Sequence, residues 1–369
     1  MATIDTVRPI FELDPDDVVA DLDRGLTLPA RLYADPEVHR LEMERIFSRC
    51  WQYLCHESKL RNAGDVVVGS AGEIPVLVIR QPDGELRGFV NACRHRLHPV
   101  ATENRTECKV LQCPYHGWSY GLDGRLRGVP RKQLEPALDT DSIALVPISV
   151  ERWDQWVFVN PDPDAAPLAS LTREVSQRAA DLNRDLAAFQ FVDRYEYEMD
   201  CDWKIWAENL IECYHCPTLH RCSFGKAYES RPDQYQVEAW EDTGWHQTPI
   251  KWLPNGVDPA QCKGFRFTYL WPTSFFAADD FVGFVGAVVP LTPGRCWAYV
   301  DMYAPADGDP EITEQWLKLW DETLEEDKLA TNRQQHGYRS GLVGHGQLMP
   351  NGEASLTAFM RRTWRALSE

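Results

Sequence analysis

Positive charge is what this chain has least of. Against 56 Asp and Glu it sets 38 Lys and Arg, for a net charge of −18 and a pI near 5.0. A balance that negative repels phosphate backbones and anionic lipid headgroups, which argues against nucleic acid and membrane surfaces as partners. No apolar run approaches the roughly 20 residues needed to cross a bilayer. The opening Met1-Ala2-Thr3-Ile4-Asp5 lacks the basic region and apolar stretch of an export signal, so a cytoplasmic location is expected. There is no G-x-G-x-x-G and no Walker loop, so the chain is expected to carry no dinucleotide of its own. Electrons for any redox chemistry must then come from a separate protein. The eleven cysteines are odd in number and mostly scattered. Without an export signal, that pattern points to free thiols and metal ligands rather than disulfides.

What is present is a two-domain length of 369 residues with 44% hydrophobic and 25% charged residues, ordinary for a globular protein. The pattern is α+β. Residues 1–44 read as a lead-in, loose to about residue 34. Asp35 and Pro36 then cap a helix running to about Phe47, with Leu41, Ile46 and Phe47 facing inward. Residues 45–162 read as a small antiparallel β domain. Val66–Val68, Pro75–Arg80 and Leu86–Asn91 are its β-rich runs, and Asp83-Gly84 and Asp123-Gly124 are hairpin signals. The stretch Asp162-Pro163-Asp164-Ala165-Ala166-Pro167 closes it as a linker. In 163–369, residues 168–188 look helical. Tyr195, Tyr197, Met199 and Cys201 alternate with acids, as a half-buried strand does. Phe265, Phe267, Tyr269 and Trp271 share one strand face, and further strands run through Phe281–Val289 and Cys296–Tyr303.

The strongest motif is Cys93-Arg94-His95 followed by Cys113-Pro114-Tyr115-His116. Four thiolates would hold an ordinary [2Fe–2S] cluster. Replacing two of them on one iron by imidazole gives a Rieske cluster of higher potential. The rival is a Cys2His2 zinc site, for which C-x-H is too tight a half. His98 is a bystander by spacing.

A second constellation lies in Glu208-Asn209-Leu210-Ile211-Glu212-Cys213-Tyr214-His215-Cys216-Pro217-Thr218-Leu219-His220. Helical spacing puts Glu208, Glu212 and His215 on one stripe. Pro217 predicts that the helix stops near His215, with Cys216 extended. His215 and His220 suit an open two-His-one-carboxylate iron site. A closed zinc site using Cys213 and Cys216 is the alternative. A long helix is expected from Glu311 to about Gln335. On it Trp316, Trp320, Leu324 and Asp327 share an apolar stripe from which Glu325 and Glu326 point away. A carboxylate there needs a partner, and the third ligand to the iron is the natural one.

Asn91–Arg96 and Cys113–Tyr120 resemble the Rieske loops of ring-hydroxylating and related Rieske non-heme iron oxygenases, in their catalytic α subunit. The resemblance runs from about Asp35 to Leu367. It departs at Leu97, where those enzymes usually carry Gly. It implies a Rieske domain plus a helix-grip catalytic domain, an antiparallel sheet packed on a long C-terminal helix. It also implies a cluster on Cys93, His95, Cys113 and His116, and mononuclear Fe(II) on His215, His220 and Asp327. Glu212 would be a bridging acid between the two centres. The Glu-Cys-Tyr-His-Cys-Pro run is similar to the branch acting on carnitine, glycine betaine and stachydrine, so hydroxylation or N-demethylation of a small quaternary or tertiary amine is expected. Arene dihydroxylation and a non-enzymatic Rieske electron carrier stay open. The implied partners are O2, a flavin or ferredoxin-type reductase fed by NAD(P)H, and two further copies in a trimer.

Overall fold

The computed structural model describes residues 13–231, 233–253, 260, 262–349 and 351–369. The chain divides into two compact units, Ile46–Ser170 and Leu171–Glu369, the latter joined by the segment up to Arg45. The stretch expected to be loose holds a helix, Pro15–Asp23, whose first turn is capped by the Asp14 side chain on the Asp16 N–H at 3.0 Å. Residues 1–12 lie outside the described residues. Asp35 caps Pro36–Glu42 in the same way, accepting from the Glu37 N–H at 2.9 Å.

The smaller unit is built on a six-stranded antiparallel sheet. Its order is Gln52–His56, Trp156–Asn160, Pro147–Trp153, Leu86–Val90, Ile74–Arg80, Val66–Ala71. In the strand Ile74–Arg80 the residues Val76, Leu77, Val78 and Ile79 are buried on both faces, which is why they read as a continuous apolar run. Val76 and Val78 pack with Leu54, Val67 and Val157. Leu77 and Ile79 pack on the other side with Phe89, Cys93, Cys113 and Tyr120. Each such side chain contributes roughly 1.5–3 kcal/mol on burial. The second core carries a three-stranded sheet, Leu111–Gln112, Ser119–Tyr120 and Leu126–Gly128. Gly84 and Gly124 turn the hairpins at φ +88° and +79°, left-handed values that a Cβ disfavours.

The larger unit is a seven-stranded antiparallel sheet. Its order is Phe189–Met199, Arg295–Pro305, Gly283–Thr292, Ser274–Ala278, Phe265–Leu270, Thr243–Thr248, Gln236–Ala239. The strand Ser274–Ala278 carries no alternating polar face. All five of its residues are buried, so period-two reasoning overlooks it. Register aligns His246 with Phe267, Phe267 with Ala277, and Ala277 with Phe284, making one continuous row across four strands. The long helix, Pro310–Arg339, lies against this face. Trp320 meets Phe265 at 5.0 Å and Phe284 at 4.8 Å between ring centres. This is the helix-grip arrangement, and it aims the helix's buried stripe at the aromatic row.

Candidate metal centres and active site

The two loops of the smaller unit each close on a backbone hydrogen bond across the motif. Leu97 N–H donates to the Cys93 carbonyl at 2.8 Å, and Gly117 N–H to the Cys113 carbonyl at 3.0 Å. Cys93 and Cys113 belong to the core, at 1% and 2% exposure. Burial, then the neighbouring Cys93, pushes the Cys113 thiol up. The imidazoles of His95 and His116 stand outside the core, 4.6 Å apart between ring centres. The side chain of Tyr120 ties the loops together: its hydroxyl lies 3.2 Å from Cys93 Sγ and accepts from the Arg94 N–H at 2.9 Å. Two sheltered sulfurs and two outward imidazoles fit a Rieske [2Fe–2S] cluster, which these four side chains would hold. His98 instead engages the Pro99 carbonyl through Nδ1 at 2.8 Å. Leu97 sits at φ +60°, a left-handed value that a Cβ disfavours and glycine adopts freely.

In the larger unit, helix Trp203–Leu210 ends sooner than its spacing predicts. The Glu212 carboxylate accepts from the backbone N–H groups of Tyr214 and His215, which turns the chain. A short helical turn, Cys216–Leu219, follows. Pro217 starts it rather than blocking it, because an N–H at that position has no helical acceptor. Cys216 is therefore helical, not extended. Glu208 does not share a stripe with Glu212: it is buried and accepts from the Tyr33 hydroxyl at 2.7 Å.

His215 and His220 flank this turn, and their Nε2 atoms lie 3.1 Å apart. Asp327 comes from the buried stripe of the long helix, with Oδ1 at 3.4 Å from His215 Nε2 and 3.0 Å from His220 Nε2. Among the described residues these three form a group able to hold a metal ion. Asp327 Oδ1 is buried and, despite the short His220 separation, makes no well-directed hydrogen bond. A cation would satisfy it. Burial favours a neutral His215, but Asp327 and Glu212 override that and push its pKa up to about 10. Burial likewise opposes charge on Asp327, yet the two imidazoles pull it down to about 2. The cluster thus attracts positive charge.

Each imidazole also has a carboxylate behind it. His215 Nδ1 meets Glu212 Oε1 at 2.5 Å, and His220 Nδ1 meets Glu326 Oε2 at 2.7 Å. Such partners fix the ring and its tautomer and raise its basicity as a ligand. Glu326 was expected to point away. It meets His220 Nδ1 while Asp327 faces Nε2 of the same ring, and Ser223 Oγ also donates to it at 2.5 Å.

Two family profiles cover most of the chain. The ring hydroxylating alpha subunit (catalytic domain) matches residues 186–369 and the Rieske [2Fe-2S] domain residues 50–143. The chain belongs to the Rieske oxygenase α subunits. The family's cofactors are a Rieske cluster and a mononuclear iron, and its members are oxidoreductases. This α subunit is 26% identical over 367 residues to the carnitine monooxygenase oxygenase subunit of Escherichia coli K12, spanning 95% of this chain and 94% of that one. It is 29% identical to the chloroplastic choline monooxygenase of Amaranthus tricolor over 90% of this chain and 76% of that one. In fold it matches a quaternary ammonium Rieske monooxygenase with a TM-score of 0.86 at 23% identity, covering 96% and 99% of the two chains. It also matches naphthalene 1,2-dioxygenase from Rhodococcus sp. with a TM-score of 0.78 at 21% identity, covering 96% and 97%. No helix among the described residues is long and apolar enough to cross a membrane.

The oxygenase's cavity opens beside the histidine cluster. Its apolar walls are Phe224, Tyr235, Phe265, Phe267, Phe284 and Trp320. No Lys or Arg lines it among the described residues. His246 is on the wall too, with Nδ1 facing the Tyr235 hydroxyl at 2.5 Å. Burial pushes its pKa down to about 3, so the ring is neutral. Sequence reasoning missed Tyr235, His246 and Glu326, since nothing local sets them apart from ordinary strand and helix residues. Cys213 and Cys216, expected as free thiols or zinc ligands, are joined as a disulfide. Sulfurs so paired cannot serve as the thiolates of a closed zinc site.

Proposed function

We propose that this chain is the oxygenase component of a Rieske system that hydroxylates or N-demethylates a small quaternary or tertiary amine. Cys93, His95, Cys113 and His116 hold the [2Fe–2S] cluster, and His215, His220 and Asp327 hold the iron. When bound, these centres supply single electrons and the activation of O2. The chain's own residues bind and orient. Trp320 and the phenylalanine faces hold a cation by its attraction to ring faces and keep water off the reacting carbon. Glu212 keeps His215 Nδ1–H engaged and links that ligand to an incoming imidazole of the cluster. Electrons come from NAD(P)H through a flavin or ferredoxin-type reductase. The working assembly is a cytoplasmic trimer in which one subunit's cluster serves its neighbour's iron.

The observation that carries the amine reading is the aromatic wall without a Lys or Arg, whose ring faces suit a cation. The carnitine and choline monooxygenase relatives support it. A substrate carboxylate finds no lysine or arginine on this wall and only a neutral His246. Amines without a carboxylate, of the choline type, are therefore the first choice. The apolar wall would also accept an uncharged arene, which is the second reading.

A single-turnover experiment tests this. Protein with its cluster reduced by dithionite is mixed with O2 and either choline, carnitine, betaine, proline betaine, naphthalene or an aryl carboxylate, and products are identified by mass spectrometry. Oxidised or demethylated amine is expected. Product from arenes alone would sink the amine reading. Metal analysis removes the carrier reading: an oxygenase holds iron beyond the two accompanied by labile sulfide, a carrier holds zinc there.

A further inference from the structure

Cys213 and Cys216 bracket His215, and both line the cavity. They are buried, at 7% and 5% exposure, and their Cα atoms stand 5.0 Å apart within the disulfide, inside the span such a bond requires. Cys216 Sγ lies 3.9 Å from His215 Nε2, the atom that converges with His220 Nε2 and Asp327 Oδ1 on the metal group. A cation held there has this sulfur as a neighbour. In the disulfide the sulfur carries no charge and is a poor ligand. As a thiolate it is a strong soft ligand, and a two-His-one-carboxylate face leaves positions for it to occupy.

We propose that Cys213–Cys216 is a redox switch on the iron site. The disulfide form leaves the open positions to O2 beside the substrate. The dithiol form offers Cys216 as a further ligand that fills one of them. This rests on the iron reading of His215, His220 and Asp327. Reduction breaks the S–S bond and needs two electrons and two protons. A phosphine supplies the electrons and becomes phosphine oxide, taking its oxygen from water, whose two protons complete the thiols. Hydrogen peroxide reverses the change: its O–O bond breaks, it takes two electrons and two protons from the thiols, and it leaves as two waters while the S–S bond reforms.

The test uses the full chain. Mononuclear iron is removed, one sample is treated with a water-soluble phosphine and desalted without air, and Co(II) is titrated into both. Alkylation with mass spectrometry follows the peptide holding both cysteines. Two alkyl groups on that peptide and a sulfur-to-cobalt charge-transfer band are expected only after reduction, and peroxide should abolish both. Cys213→Ser, which frees Cys216, should show the band without reductant and lose at least ten-fold in single-turnover product. The Cys213→Ser/Cys216→Ser double variant should show no band, and whatever turnover it retains should not respond to phosphine. Cobalt binding to the alkylatable dithiol form without the band overturns the switch alone, as does a disulfide that phosphine leaves intact in the folded protein. Failure of cobalt to bind any form overturns the iron reading beneath it.

Discussion

Leu97 and Glu212 show how much rests on single positions. Leu97 is 71% exposed and held at φ +60°, so it gains little by packing and bears the strain a Cβ brings to left-handed backbone. Leu97→Gly should stabilise the smaller unit by about 1 kcal/mol, read as a higher melting temperature with an unchanged cluster spectrum. A lower melting temperature would mean that the leucine packs in a way the backbone conformation does not reveal. A bridging Glu212 would keep one oxygen free for the cluster's imidazole. Instead, Oε1 faces His215 Nδ1, and Oε2 accepts from the Tyr214 and His215 N–H groups. The carboxylate is thus held by its own loop, and a further donor must share a lone pair of an oxygen already engaged. Glu212→Gln removes the charge and turns an N–H2 toward one of these donors. It should weaken iron binding about ten-fold and, with both centres loaded, slow electron transfer in single turnover. Transfer at the parent rate would remove the bridging role.

At the scale of the element, helix Trp203–Leu210 is nearly all buried and carries charges that need partners. Lys204 lies between Glu42 and Asp202, at 2.7 Å from the latter. One turn on, Glu208 has the Tyr33 hydroxyl at 2.7 Å. Burial dominates for Glu208 and raises its pKa to about 8, against the lowering by Tyr33 and Lys204. The sign follows from proton counting. From the ordinary value of 4.5 up to about 8, the folded state keeps a proton that the unfolded state has lost. This group's stabilisation is therefore full below 4.5 and falls as pH rises, by at most about 1.4 kcal/mol per pH unit. In Glu208→Gln that slope should vanish, so urea unfolding at pH 6, 7 and 8 should show the variant losing less stability than the parent. Parallel losses would contradict a neutral Glu208.

For the whole molecule, the cluster motif and the histidine cluster belong to separate compact units. Each centre should then survive loss of the other. Asp327→Ala should abolish mononuclear iron and turnover while leaving the Rieske EPR signal intact. Loss of both centres together would mean the units do not fold independently. If Glu325→Ala removes the iron instead, the helix phase is wrong. His116→Cys should lower the cluster potential toward that of all-cysteine clusters, with the mononuclear iron still bound. An unchanged potential and EPR spectrum would sink the ligand assignment.

The sequence by itself determined what depends on short spacing. Cys93, His95, Cys113 and His116 are legible because each pair is presented by one loop. The buried stripe of Trp316, Trp320, Leu324 and Asp327 is legible because helical phase is a local property. Helix caps at Asp35 and hairpins at Gly84 and Gly124 are local for the same reason. Only the tertiary structure decided what depends on elements far apart in the chain. It brings Asp327 to His215 and His220, places Glu326 behind His220, and lays Trp320 against Phe265 and Phe284 as a cavity wall. It also decided where local rules were outweighed. The helix expected to reach His215 yields to the Glu212 carboxylate, and thiols expected to be free pair across His215. In each case the winning term is a contact made by folding, a hydrogen bond or a covalent closure, whose geometry spacing alone does not encode.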